Sequence, residues 1–238
     1  NFHFTKPNIR YYAEAIGRLG WPEETIVMVG DNLTHDILPA EAMGLETFWI
    51  DPEVETTERP HGSLSDLRSF LANLKTANNA TTFNNDPDVM FAFLRSTPAV
   101  LDTWLEIYDR EALHQQQSRN EWSPNEIFWH LADFEERVYH PQWKQLLQNP
   151  DQIVPHIETN HWAEERNYKS RDPEEAYQNF LRCRKESLDM IESLLDKGFF
   201  EIGVHHTVFS ESLISELVEF TARHGRLHIK QCAEALNI

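Results

Sequence analysis

The sequence predicts two architectures in one chain: an α/β fragment built on a small parallel sheet, then an all-α four-helix bundle. Three observations carry this. Apolar runs, TIVMV at 25–29 and ETFW at 46–49, alternate with helical patterns over the first 74 residues, as strands buried in a parallel sheet do. An Asn- and Thr-rich stretch, KTANNATTFNNDPD at 75–88, has no apolar period and carries Pro87. Beyond it the apolar positions recur at helical spacing.

In chain order, FHFTKPN predicts a short strand ending near Lys6 and Pro7. Asn8 then caps a helix in which Ile9, Tyr12, Ala13, Ile16 and Leu19 form one face and which Gly20 ends. Thr25 to Val29 is a strand with Gly30 and Asp31 at its C-terminal end. A short helix from Ile37 to Met43 is closed by Gly44, ETFWID is another strand, and Ser63 or Ser65 caps a helix through Leu74. The domains expected are 1–75 for the α/β part, 76–86 for a linker and 87–238 for the bundle.

The first bundle helix runs from about Pro87 to Ile107, bent near Pro98. Ser123, one residue before Pro124 and three before Glu126, makes a capping box for a second helix that extends to about Leu147. The connection from Asn149 to Arg171 has no clear period, and so long a loop in a compact domain points to function. A third helix opens at Asp172 or Pro173 and ends at Gly198. Phe199 to His206 reads as irregular, Glu211 to Phe220 as a short helix, and Thr221 to Leu236 as the last helix, separate from that short one or continuous with it.

Thirty-nine carboxylates against 21 Lys and Arg give a net charge of -18, which argues against non-specific binding to nucleic acid or to an anionic membrane. No apolar run approaches the length of a membrane span, about 18 residues. Two cysteines, Cys183 and Cys232, do not make a disulfide scaffold, so a reducing, cytoplasmic setting is expected. No signal peptide is evident, and the start at Asn1 without Met suggests a fragment or a processed product. The expected partner is a small-molecule substrate; a homodimer is left open.

The chemistry-bearing residues fall into two groups. His224 and His228, four apart, lie one turn apart on one helix face, and His130 on the second helix can complete a set of three imidazoles for a divalent metal. Asp133 and Glu135 stand close enough to orient a ligand imidazole or to join the ligands. The alternative is structural: His224 satisfied by a backbone carbonyl at a helix end, His228 on the surface, and His130 packed by Trp129 and Phe134. Cys232 reads as a small packing residue rather than a nucleophile. Arg182 and Arg184 read as a solvated face or, alternatively, as partners of an acidic substrate group. In the first half, VGDNLTHD places Asp31 where a strand ends and Asp36 at the next helix, a suitable pair for Mg²⁺, with Lys6 able to neutralise a phosphoryl group.

From about Phe91 to Ile238 the chain resembles the DinB-like superfamily, through FLRSTPAVLDTWL, NEWSPNEIFWHLADFEERVYHPQWKQLL, RDPEEAYQNFLRCRKESLDMI and HHTVFSESLISELVEFTARHGRLHIKQCAEAL. The resemblance implies an up-up-down-down four-helix bundle. It also implies a divalent metal (nickel, zinc or iron) on His130, His224 and His228, with the family's HLxxxE segment falling on His130 to Glu135. Family chemistry is thiol-dependent transfer or isomerisation, so a low-molecular-weight thiol is the implied co-reactant. Two positions depart from the pattern: Gly225 stands where many relatives have Asp, and Ser210 where they often have Gly.

Residues 3 to 52 resemble the C-terminal part of the haloacid dehalogenase-like (HAD) hydrolases, whose sheet is Rossmannoid. The resemblance rests on Lys6-Pro7, Pro22-Glu23-Glu24, Gly30-Asp31 and Asp36, continuing through Ala40, Ala42 and Gly44. It implies that Lys6 steadies an aspartyl-phosphate, that Asp31 binds Mg²⁺ and that Asp36 supports it. The family's nucleophilic DxDxT motif does not precede Lys6, so this segment is expected to be inactive as written. Three functions follow as expectations: a metal-dependent enzyme in the bundle, a phosphatase whose nucleophile lies outside this chain, or a non-catalytic, metal-stabilised module.

Overall fold

The computed structural model describes residues 2–22, 24–54, 57–74, 86–119, 121–151 and 153–238. Of the predicted linker, 76–85 lies outside these residues, as does Glu23 of the Pro-Glu-Glu turn.

The α/β part contains α1 (Ile9–Arg18), β1 (Val27–Gly30), a π-turn (Leu33–Ile37), α2 (Leu38–Ala42), β2 (Glu46–Trp49) and α3 (Leu64–Asn73). β1 and β2 pair in parallel, Val27 opposite Glu46 through Gly30 opposite Trp49. Asn8 and Ser63 cap α1 and α3 as the sequence predicts, the second in a capping box with Asp66. Residues 2–8 form turns rather than the predicted strand. The backbone amides of His3 and Phe4 donate to the buried Glu14 carboxylate, which satisfies them without a neighbouring strand.

The second part is a four-helix bundle. Its long elements are α4 (Pro87–Ile107), a second helix of three consecutive segments, α9 (Pro173–Asp196) and α10 (Ile214–Leu236). A short helix, α5 (Arg110–His114), follows α4 and was not expected from the sequence. The second long helix comprises α6 (Pro124–Phe134), a π-turn (Glu135–Tyr139) and α7 (His140–Gln148). Pro141 explains the π-turn: a proline in a helix has no N–H and its ring crowds the preceding turn, which a wider turn relieves.

Pro98 lies inside α4 and leaves the carbonyl of Leu94 without its helical donor. The guanidinium of Arg184 on α9 fills that position, Nη1 to Leu94 O at 3.1 Å, while Nε and Nη2 hold Glu135 Oε2 at 2.9 and 2.7 Å. Arg184 and Glu135 are both buried. This overturns both readings of Arg184 from sequence, since it meets neither solvent nor substrate. Arg182 is exposed beside Glu136 and Glu186.

Two connections differ from expectation. Within 149–172 lie α8 (Trp162–Glu165) and a 3₁₀ turn (Tyr168–Ser170). The end of the segment read as irregular, and the first three residues of the short helix expected after it, Glu211 to Leu213, form a hairpin of β3 (Gly203–His206) and β4 (Ser210–Leu213). Backbone pairing across the hairpin wins there, and α10 begins only at Ile214 and runs unbroken to Leu236. Ser210 has φ +60, a conformation that glycine adopts without strain.

The two parts share one apolar core. α1 packs on α4, Trp21 stacks on Phe93 with ring centroids 4.7 Å apart, and His3 Nε2 meets Asp102 Oδ2 of α4 at 2.8 Å. Gly20, at φ +71, lies so close to α10 that a Cβ would collide with the Ala233 side chain. Gly20→Ala is therefore expected to lower unfolding stability by about 2–4 kcal/mol, from overpacking and a strained backbone together. Urea denaturation checks this; an unchanged midpoint would mean the contact gives way freely.

Candidate metal centre

His130 sits two turns into α6, past a cap in which Glu126 Oε2 accepts from the amide and hydroxyl of Ser123, each at 2.9 Å. His224 and His228 project from one face of α10. The packing of α10 against α4 depends on Gly225, where a Cβ would come within 3.2 Å of Thr97 Oγ1. Gly225 thus serves close helix contact.

The three Nε2 atoms face one another: His130 to His224 at 3.2 Å and His228 to His224 at 3.1 Å. The whole set fits within 4.8 Å, and among the described residues it is the one such group of potential ligands. Zinc–nitrogen bonds of about 2.0–2.1 Å place neighbouring ligand nitrogens ~3.4 Å apart in a tetrahedron and ~2.9 Å apart on an octahedral face. The observed spacing lies between these values. His228 Nδ1 is 2.9 Å from Gln231 Oε1, a carbonyl oxygen that can only accept, so the ring proton is on Nδ1 and the Nε2 lone pair faces the centre. The residues present fit a divalent metal.

Electrostatics favour the neutral, ligating form. Burial, and then the His228 ring, push the His130 imidazolium down to about 3. Burial, the two other imidazoles and the Arg184 charge hold His224 well below its ordinary value. Burial lowers His228 too, partly offset by Gln231.

Aromatic rings enclose the cluster. Trp122 lies 4.9 Å from the His130 ring and 6.2 Å from His228. Phe134, Tyr139 and Phe220 surround His224 at 4.4, 5.7 and 6.3 Å. The same three rings line a cavity of about 120 Å³ whose other walls include Pro155, His156 and Ile157 of the long connection and His206, Val208 and Phe209 of the hairpin.

Asp133 and Glu135 have other partners. Asp133 binds the Arg166 guanidinium and accepts from the Tyr168 hydroxyl at 2.6 Å, which ties the long connection to α6. Glu135 is held by Arg184. Cys232 is fully buried, and burial pushes its thiol well above the ordinary range, as suits a packing residue. In the α/β part, Lys6 Nζ contacts Asp36 Oδ1 at 2.8 Å, and Asp31 lies exposed just past the end of β1. Sequence reasoning missed Gln231, although its position three residues after His228 on one helix face was the available signal. Trp122, Phe220 and His206 had no such signal.

Residues 94–232, more than half of the chain, match the sequence profile of the DinB superfamily. The chain belongs to that superfamily. Residues 3–69 match a profile described as HAD-hydrolase-like, so a HAD-like fragment precedes the DinB bundle. Over 157 residues the chain is 27% identical to the uncharacterized protein YuaE of Bacillus subtilis, covering 57% of this chain and 91% of YuaE. Over 58 residues it is 41% identical to a glyceraldehyde 3-phosphate phosphatase of Methanothermobacter thermautotrophicus, 24% of this chain and 26% of that enzyme. The chain thus spans about a quarter of that phosphatase's length. The solved structure of YfiT from Bacillus subtilis, described as a probable metal-dependent hydrolase with an unusual four-helix bundle topology, matches with a TM-score of 0.55. That match has 18% identity and covers 68% of this chain and 91% of YfiT, a likeness of fold.

Two expectations follow for the DinB bundle. Gln231→Leu lowers zinc affinity about tenfold, because the His228 ring loses its orienting partner; competition with a chelator measures it. The second concerns pH. His130 protonates near 6.5 in the unfolded chain and near 3 in the folded one, so the unfolded state binds more protons between these values. The stability of the metal-free chain therefore falls as pH drops from 7 to 5. Urea midpoints across that range should decline in the wild type and decline less in His130→Phe.

Proposed function

We propose that the bundle holds one divalent ion (nickel, zinc or iron) on Nε2 of His130, His224 and His228, and that it is a metal-dependent enzyme acting on a small molecule. The preferred reaction class is thiol-dependent transfer or isomerisation, with a low-molecular-weight thiol as co-reactant. The convergence of three Nε2 atoms carries this reading. Three protein ligands leave coordination positions for an exchangeable group, which favours catalysis over a closed structural site. The cavity favours it further, since Phe134, Tyr139 and Phe220, which pack around His224, also line a space for the organic part of a substrate.

A metal held by these residues would supply Lewis acidity, lowering the pKa of a thiol or water. The chain's own residues do the rest. Gln231 fixes the His228 tautomer. Phe134, Tyr139 and Phe220 keep water from the side of His224 that faces the cavity, and Trp122 covers His130 and His228. We assign Asp133 and Glu135 to the frame around the site rather than to the ligands, given their arginine partners.

For the HAD-like fragment the roles proposed by resemblance are Asp31 as Mg²⁺ ligand, Asp36 as its support and Lys6 as the phosphate partner. The Lys6–Asp36 contact suits that assignment. A phosphatase reaction would still require a nucleophilic aspartate that residues 1–5 do not hold.

The test is metal analysis of the purified chain. About one equivalent of metal is expected in the wild type, with loss of more than 90% in His130→Ala and in His228→Ala. Stoichiometric metal retained in both variants would defeat the assignment.

A further inference from the structure

The cavity beside His224 has one wall residue whose ring chemistry its neighbours fix. His206 ends β3 and is 7% exposed. Its Nδ1 accepts from the backbone amides of Val208 and Phe209, at 3.1 and 3.2 Å, inside the hairpin turn. Two N–H groups directed at one ring nitrogen require that nitrogen to be unprotonated, so the neutral ring carries its proton on Nε2. Burial, with the nearby His156 and His205 rings, pushes the imidazolium down and keeps the ring neutral.

Among the described residues nothing accepts from Nε2, and His206 lines a cavity whose walls are otherwise mostly apolar. The hairpin around it is tied to the long connection. His206 bridges to Val154, Thr207 N donates to Val154 O at 3.1 Å, and His156 N donates to Thr207 Oγ1 at 2.7 Å. From His206 a series of rings leads to the metal centre: Phe209 at 4.5 Å, then Phe220 at 4.9 Å, then His224 at 6.3 Å. A donor thus lines an apolar chamber, three of whose other wall rings, Phe134, Tyr139 and Phe220, also pack around His224.

We propose that His206 sets ligand specificity: its Nε2–H donates to a carbonyl-type oxygen of a small molecule whose apolar body fills the cavity. This rests on the reading of the bundle as a small-molecule site and names the substrate class, a compact apolar compound bearing an acceptor oxygen. A purely structural histidine would need only Nδ1, to close the turn. The two roles separate in His206→Asn, because the asparagine Oδ1 can take the place of Nδ1 and still accept from the turn amides, while the donor at Nε2 is lost.

The test uses the full chain, with and without one equivalent of zinc, and two isosteric probes, cyclohexanone and methylenecyclohexane. Binding is followed by NMR. The wild type is expected to prefer the ketone by about tenfold, the worth of one neutral hydrogen bond. In His206→Asn that preference should fall below about twofold, with the hydrocarbon's affinity unchanged. A ketone preference that survives in a folded His206→Asn overturns the proposal, as does a wild type that shows no preference. Should the variant not fold, the ¹⁵N spectrum of the His206 ring in the wild type decides. A proton on Nε2 that shifts on addition of cyclohexanone supports the proposal, and a proton on Nδ1 or an unmoved Nε2 ends it. Absence of zinc binding with the ketone preference intact would remove the metal reading alone; zinc bound without preference would remove this one alone.

Discussion

The buried pair of Glu135 and Arg184 is the interaction on which the rest of the bundle depends. Its geometry begins with a proline. Pro98 strips the Leu94 carbonyl of its donor, and Arg184 supplies one while its remaining nitrogens hold Glu135. One side chain on α9 thereby joins α4 to the π-turn after α6. Removing either partner of such a pair leaves a buried charge uncompensated, a loss of about 3–5 kcal/mol. The guanidinium also lies near enough to His224 to disfavour its protonated form. The same contact that fastens three helices helps keep an imidazole of the cluster neutral.

Around that fastening the centre forms from unrelated local constraints. Helical repeat sets His224 and His228 on one face. Gly225 between them lets α10 approach Thr97 of α4. The π-turn ends at Tyr139 and follows Phe134, two rings that close around His224. Asp133 draws the long connection onto α6 through Arg166 and Tyr168, and that connection in turn supplies a wall of the cavity. The polar residues nearest to His130 in sequence therefore act on the loop and the frame, and Gln231 is the hydrogen-bond partner of His228 in the cluster.

The HAD-like fragment keeps a chemical signature but takes a structural part. Lys6 and Asp36 meet just past the C-terminal end of β1. Yet α1 also turns its apolar side to α4, and Trp21 and Gly20 reach the bundle at Phe93 and Ala233. Glu14, fully buried, collects the amides of residues 3 and 4 and the His3 ring, which goes on to Asp102. The fragment and the bundle are one packed body.

The sequence by itself determined the elements whose signal is local. α4 begins and ends where its apolar period places it, α6 begins at the Ser123–Glu126 box, and the histidine spacing assigned His224 and His228 to one helix face. It also marked His130, because the surrounding residues resembled a known pattern. Tertiary structure decided what depends on atoms distant in the chain. Glu14 replaced a strand with turns, and cross-strand pairing drew Glu211 to Leu213, expected to begin a helix, into a hairpin. Arg184 found its acceptor ninety residues away, and the cavity arose where the hairpin, the long connection and two helices meet. Periodicity and capping act within one or two turns, so they are legible in a single sequence. Burial and charge pairing act through space, so they were settled only when the chain folded.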